Sequence, residues 1–268
     1  MTPYIKNDTK VGCVYTLPCG RCPDCLKRRT SAWSFRLLQE LKHCTSAEFL
    51  TLTYDTLEMP FTSTGKPNLS KTDVQLFMKR LRKKHTNTLK YYVCGEYGTQ
   101  THRPHYHMIL FNARQDLIQP AWDLGKIHYG TVEAASIGYT LKYMNKPTRI
   151  PMYKGDDRQK EFSLMSKGLG KSYLTPQMIS YHKADLENRM HINILDGKKI
   201  AMPRYFKDKI YDENEREQIK QHMIIEQGKL IEEFNNHPEY LKNYNAKQAS
   251  IMAAFTKQKF DSLKPSKI

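Results

Sequence analysis

The sequence predicts an α+β domain built on a central, mainly antiparallel sheet flanked by helices, with a Cys-rich N-terminal knuckle and a helical C-terminal extension. Three observations carry that expectation. The elements run helix, strand, helix, strand, strand, helix; the strand-like runs are short and joined by hairpin-length links; and beyond Tyr211 the strand pattern gives way to helix. At 268 residues, 39% hydrophobic and 26% charged, the chain has enough apolar material for one real core. The boundaries that follow are a knuckle and basic helix over 1–45 packed on the core, a core domain over 46–206, and an extension over 207–268.

Each element has its own signal. Residues 13–25, CVYTLPCGRCPDC, are turn-rich, with three cysteines at two-residue spacings. Leu26 to His43 is an amphipathic helix, with Trp33, Leu37, Leu38 and Leu41 on one side and Lys27, Arg28, Arg29, Arg36 and Lys42 supplying charge. Glu48 to Tyr54 (EFLTLTY) is a β-branched, aromatic strand, followed by a loop through Pro60, Gly65 and Pro67. Ser70 has N-cap chemistry for a helix from Lys71 to His85, with Val74, Phe77, Met78 and Leu81 inward and Lys79, Arg80, Arg82, Lys83 and Lys84 outward. Lys90 to Tyr97 and His105 to Asn112 are strands whose short link, Gly98 to Pro104, makes them a hairpin. Lys126 to Val132 is a weaker strand, and Ala134 to Asn145 is a helix ended by Pro147. A helix from Pro176 to Arg189 and a hairpin around Asp196-Gly197 follow; the extension is helical, broken near His237-Pro238.

Charge narrows the partner. Lys and Arg number 43 against 27 Asp and Glu, a net +16; from Lys207 onward the counts are 11 and 10, so residues 1–206 carry +15. A field of that sign concentrates polyanions, which makes nucleic acid the leading partner; solubility alone is the competing reading, and composition does not choose. No apolar run approaches the roughly 18 to 20 residues that span a bilayer, so no membrane partner is expected. Met1 to Thr16 has neither the apolar segment nor the cleavage site of a secretory signal, which places the chain in a cytosol. There the six cysteines, Cys13, Cys19, Cys22, Cys25, Cys44 and Cys94, read as thiols or metal ligands rather than disulfides.

The chemistry concentrates in two short segments. In a strand, His105 and His107 point to one face while Tyr106 turns away, giving a bidentate platform for a metal ion. A hairpin would bring Glu96, nine residues upstream, beside the pair. Two imidazoles and a carboxylate leave positions open for water and phosphate oxygens, as a Lewis acid acting on a phosphodiester requires. A His-x-His pair by itself is more often surface decoration, and His102 reads as a turn cap or a phosphate contact. In the second segment, Tyr139 and Tyr143 are neighbours on one helix face, each followed three residues later by a lysine, Lys142 and Lys146. The ordinary reading is core aromatics with snorkelling lysines. The chemical reading is a pair of phenol nucleophiles whose phenolate form, disfavoured by an ordinary pKa near 10, is supported by the lysines.

His105-Tyr106-His107 resembles the histidine, hydrophobe, histidine signature of the HUH endonucleases, and Tyr139-x-x-Lys142-Tyr143-x-x-Lys146 resembles the paired-tyrosine motif of their rolling-circle replication initiators. Phe49-Leu50-Thr51-Leu52-Thr53-Tyr54 is similar to the first replication-initiator motif. Gly95-Glu96-Tyr97-Gly98, Thr101 to His107, Cys19-Gly20-Arg21-Cys22 and Lys27-Arg28-Arg29 together resemble the replication proteins of gokushoviruses, single-stranded DNA phages of the Microviridae. The resemblance covers residues 13–206 in the expected order. It implies that His105, His107 and Glu96 hold Mg2+ or Mn2+ and that a tyrosine attacks a phosphate of single-stranded origin DNA. The products would be a 5′-phosphotyrosyl link and an extendable 3′-hydroxyl, with the second tyrosine serving the later rejoining step. It further implies action in the cytoplasm of an infected bacterial host, alongside host replication machinery. Thr51 to Tyr54 would touch DNA, and Gly95 to Gly98 would shape the site.

Cys19, Cys22 and Cys25 supply three thiolates within seven residues, for which structural Zn2+ is the default, with Cys13 or Cys44 as fourth ligand and an iron-sulfur cluster as the lesser alternative. Lys27, Arg28 and Arg29 would then stand on a rigid knuckle that grips a DNA backbone. Rival readings are a nonenzymatic single-stranded nucleic-acid-binding protein, a redox metal enzyme with no role for the tyrosines, and a single-tyrosine HUH transposase, against which the second tyrosine argues.

Overall fold

The computed structural model describes residues 4–8, 13–20, 22–98, 101–145, 150–194 and 198–263. They fall into two compact units, one of Ser34–Ser172 with the end of the last helix from Lys259, the other of the N-terminal part through Trp33 and Tyr173–Gln258.

The sheet of the first unit has five strands: β3 (Ala47–Thr53), β4 (Lys90–Tyr97), β5 (Pro104–Phe111), β6 (Ile127–Thr131) and β7 (Phe162–Met165), in the order β6-β3-β5-β4-β7 with every pair antiparallel. The hairpin expected between Lys90 and Asn112 is β4-β5, and its register sets Glu96 opposite His105 and Cys94 opposite His107. One edge strand, β7, has no counterpart in the sequence reading: four residues, Phe-Ser-Leu-Met, are too short to show a period.

Alternation divides the sheet. One face carries Leu50, Leu52, Val93, Tyr106, Met108 and Leu110 into the core, where helix α2 (Lys71–Lys83) covers them with Val74, Phe77, Met78 and Leu81, all fully buried. Each such side chain contributes about 1.5–3 kcal/mol relative to leaving it exposed. The Ser70 hydroxyl caps α2 by accepting from the Asp73 N–H at 3.2 Å, as its sequence position predicts, which is worth about 1 kcal/mol. Tyr106 spans the middle of this face. Its hydroxyl accepts from the Ser70 N–H at 2.8 Å, donates to the Ser70 carbonyl at 3.0 Å and lies 2.8 Å from the Tyr54 hydroxyl, which donates to Asp73 at 2.7 Å. Burial pushes both phenols well above the ordinary tyrosine range, so both stay neutral. Gly95 leaves room for that ring: a Cβ there would meet it at 3.1 Å and Leu69 at 3.0 Å.

Helix α3 (Ala134–Asn145) packs on β4 and β5, against the opposite face, through Ile137, Thr140 and Leu141. Helix α1 (Pro23–Leu41) begins three residues before the expected start. In its second half Glu40 is buried between Lys90 and the Gly170 N–H, each 2.8 Å away.

The second unit contains the hairpin β1 (Tyr4–Asp8) with β2 (Cys13–Leu17), where a turn-rich segment was expected from Cys13 on. Helix α4 (Pro176–Lys183) stops six residues short of the expected Arg189. Asp185 intervenes, its carboxylate occupied by the Asn188 N–H at 2.9 Å, a local bond that competes with helix. The hairpin β8 (His191–Asn193) with β9 (Lys199–Ala201) flanks Asp196-Gly197, which lie outside the described residues. Helices α5 (Arg204–Ile210), α6 (Glu213–Asn236) and α7 (Pro238–Leu263) follow, with the break at His237 as read from Pro238. Among the described residues no helix is long and apolar enough to cross a membrane.

Candidate active site

Glu96, His105 and His107 converge on the α3 side of the sheet. Their ligand-type atoms lie within 4.8 Å of one another. Glu96 Oε1 is 2.8 Å from His105 Nε2 and 3.3 Å from His107 Nε2, and the two rings meet edge to face at 5.0 Å. Pairing produces this arrangement: residues directly opposite across β4 and β5 share a face, and the hairpin register allows no other partner for His105. The site is half-sheltered, with side-chain exposures of 21% for His105, 12% for Glu96 and 7% for His107.

The other ring nitrogens are held from behind. His105 Nδ1 donates to the Arg103 carbonyl at 3.3 Å, and His107 Nδ1 lies 3.1 Å from the Thr51 hydroxyl of the neighbouring strand. Because a carbonyl only accepts, His105 carries its proton on Nδ1 and turns its Nε2 to the carboxylate. Two lone-pair nitrogens facing one carboxylate oxygen need positive charge between them, a proton or a metal ion. Backing of ligand imidazoles by a hydroxyl or carbonyl is the usual surrounding of a metal-binding histidine, and a divalent ion fits this donor set.

Phe49 lies parallel to the His107 ring, 3° out of plane with centroids 5.9 Å apart. Gly130 makes that possible, since a Cβ on the adjacent strand would stand 3.1 Å from the Phe49 ring. Tyr139 of α3 completes the cluster: its ring meets His107 edge to face at 5.4 Å and Phe49 at 6.2 Å, and it is 46% exposed. Tyr139 is thus on the flank of α3 over the metal-type cluster, while Ile137, Thr140 and Leu141 form its buried stripe. Lys142 is exposed, one turn on. The backbone of Tyr143 continues α3, but its side chain, like all of Lys146, lies outside the described residues.

Thr51 and Phe49 were legible only as part of a motif; their contacts with His107 depend on β3 pairing with β5, which period-2 alternation cannot reveal. Tyr54, expected to touch DNA, is 5% exposed and belongs to the opposite face. His102 takes a left-handed turn conformation, φ 51°, and its Nδ1 is buried with no partner among the described residues.

In the other unit, Cys19, Cys22 and Cys25 bring three sulfurs within 4.8 Å of one another. Cys22 precedes α1, and its N–H donates to Cys19 Sγ at 3.2 Å, as in knuckle turns that aim thiols inward. Burial pushes the Cys22 thiol up. Lys27, Arg28 and Arg29 are exposed on the first turns of α1. Of the two fourth ligands considered, the Cys13 side chain lies outside the described residues and Cys44 donates to the Leu41 carbonyl at 3.2 Å.

The family model described as replication-associated protein ORF2 matches residues 47–148, the stretch that holds Glu96, His105, His107 and Tyr139. Replication-associated protein ORF2 of Spiroplasma virus 4 is 26% identical, over 95% of this chain and 87% of its own. Replication-associated protein VP4 of Bdellovibrio phage phiMH2K is 24% identical, over 96% and 91%. Replication-associated protein ORF4 of Chlamydia phage 1 is 25% identical over 72% of this chain, which spans 53% of it. No solved structure matches. The resemblance drawn from the motifs therefore holds: over nearly its whole length the chain is similar to replication-associated proteins of phages.

Proposed function

We propose that the chain is a replication initiator of a single-stranded DNA phage that nicks origin DNA by tyrosine attack and later rejoins the displaced strand. The observation that carries this reading is the double engagement of His107, whose Nε2 faces Glu96 while its ring edge meets the exposed Tyr139. A phenol and a metal-type cluster in contact are what a metal-assisted phosphotyrosyl transfer needs.

Glu96, His105 and His107 would hold a divalent ion, Mn2+ suiting the two nitrogens better than Mg2+. Bound there, it would polarise the scissile phosphate and stabilise the leaving 3′-oxygen. The chain's own residues do the rest. The Tyr139 oxygen forms a bond to phosphorus as the bond to the 3′-oxygen breaks; the phenolic proton is lost and the 3′-oxygen takes one up as a hydroxyl. Lys142, and Lys146 beyond it, favour the phenolate by their charge. Tyr143 is the partner nucleophile for rejoining. Thr51 keeps His107 in the tautomer that leaves Nε2 free. Cys19, Cys22 and Cys25 hold structural Zn2+ and set Lys27, Arg28 and Arg29 against DNA phosphates. In this scheme residues 46–206 are the nicking domain and 207–268 an extension that meets host replication machinery in the infected cell's cytoplasm.

The test is a denaturing gel of a labelled single-stranded origin oligonucleotide with Mn2+ or Mg2+. Wild type forms a covalent 5′ adduct and the Tyr139→Phe, Tyr143→Phe double variant forms none. An adduct in the double variant sinks the tyrosine assignment. Strand binding without any adduct leaves a nonenzymatic binding protein.

A further inference from the structure

Four exposed apolar side chains crowd the loops at one end of the five-stranded sheet. Leu57 and Phe61 stand on the loop from β3 to α2, and Met152 and Tyr153 on the loop that enters β7, with exposures of 96, 53, 46 and 51%. This is the end where Glu96 faces His105: β3 closes with Thr53 opposite His105, and Phe162 of β7 pairs with Gly95.

The loops are tied to each other. Asp157 accepts from the Ser63 and Thr64 hydroxyls at 2.9 and 2.8 Å and from the Thr64 N–H at 3.2 Å. The Asn68 side-chain oxygen accepts from the Gln159 N–H at 2.7 Å, and the Tyr97 hydroxyl accepts from the Leu69 N–H at 3.0 Å while donating to the Gln159 carbonyl at 2.8 Å. Within the second loop, Asp156 accepts from the Met152 N–H at 2.9 Å and pairs with the buried Arg158 at 2.8 Å. The first loop closes as a small hairpin with Phe61 opposite Pro67, and the Lys66 ammonium lies 4.5 Å from the centre of the Tyr153 ring.

Rings held in the open by so many bonds, beside ammonium groups, have the composition of a surface for unpaired bases: the faces stack, and the phosphates meet cations. Lys66, Lys154 and Lys160 supply those cations. Asp156 is neutralised by Arg158 and Asp157 is occupied by hydroxyls, so Asp55 and Glu58 are the loops' remaining carboxylates.

We infer that Phe61 and Tyr153 form a preorganised stacking platform for single-stranded DNA that leads the strand toward Glu96, His105 and His107. What the strand is led to rests on the nicking proposal; the binding itself does not. The test measures fluorescence anisotropy of a labelled single-stranded oligonucleotide with the full chain in EDTA, where nicking is silent. Phe61→Ala and Tyr153→Ala each weaken binding at least about fivefold, the loss expected for one stacked base. Tyr153→Phe, which keeps the ring, binds as wild type does. A duplex of the same sequence binds equally to wild type and variants. Since both tips are exposed, thermal melts of the variants match wild type.

Unchanged single-strand affinity in the Phe61→Ala, Tyr153→Ala double variant overturns the platform, whether or not wild type forms an adduct. Equal losses for duplex and single strand overturn stacking. A change from dimer to monomer in sedimentation, with DNA affinity intact, reassigns the patch to self-association. Ring-dependent binding with no adduct under any divalent ion leaves the platform standing and sinks the nicking proposal.

Discussion

The two faces of the central sheet are made by the same strands and do opposite work. On one, Tyr106 and Tyr54 are sealed under α2 with their hydroxyls fully engaged. On the other, His105, His107 and Glu96 are half-open under α3, with Tyr139 exposed beside them. Neighbours in sequence, Tyr106 and His107 differ only in the side of the pleat to which they fall. Burial and saturated hydrogen bonding make a tyrosine inert structure; a flank position against an imidazole leaves one available for chemistry. Polar groups are tolerated on both faces for different reasons, by complete pairing on one and by facing a cluster that takes a cation on the other.

That contrast can be broken by mutation. His107→Ala should lower adduct formation more than about 100-fold, beyond what loss of a supporting group costs, while the thermal melt stays near wild type. A large drop in melting temperature with full residual activity would erase the distinction between the faces. Thr51→Val removes the hydroxyl behind His107 and should weaken Mn2+ binding by about 10–100-fold, read by titration calorimetry, with Thr51→Ser restoring it. If Ser does not rescue, Thr51 acts through packing alone.

Tyr106→Phe tests the opposite face. It strips the acceptor from the buried Ser70 N–H and should cost about 1–3 kcal/mol in denaturant unfolding, with metal affinity unchanged. The smallest effect lies in the second unit, a control for both faces. His182 is buried, its Nδ1 on the Arg189 carbonyl and its Nε2 2.8 Å from the Tyr173 hydroxyl, and burial pulls its pKa below the ordinary histidine value. Folded His182 therefore resists a proton that the unfolded chain accepts. Its contribution is complete above about pH 6.5 and declines as pH falls toward the folded pKa. Melts between pH 7 and 5 should show that decline in wild type and a shallower one in His182→Gln; equal slopes would remove His182 as the cause.

Much of this was legible in the residues. Val74, Phe77, Met78 and Leu81 face inward as their spacing requires, Ser70 caps α2, and the β4-β5 hairpin brings Glu96 to His105. The readable features are local: a helix period, a cap, a link too short for anything but a hairpin. What escaped was of two kinds. Elements too short to show a period, such as β7, carry no signal. Segments with mixed signals, such as Cys13–Leu17, become strands only because β1 is there to pair with them. The extent of α4 was overread because the Asp185 side chain's competing bond is invisible to periodicity.

By itself the sequence determined which residue types were available and which faced the same way: two imidazoles at alternate positions, two phenols one helical turn apart, three thiols at two-residue spacings. Those are properties of a few consecutive residues, set by the geometry of a strand, a helix or a turn. The tertiary structure alone decided that Thr51 and Phe49 brace His107 and that the open phenol of α3 lies against that ring rather than in the core. Such contacts join residues 32 to 90 positions apart in sequence, and only the closure of the sheet and the packing of α3 on it bring them within bonding range.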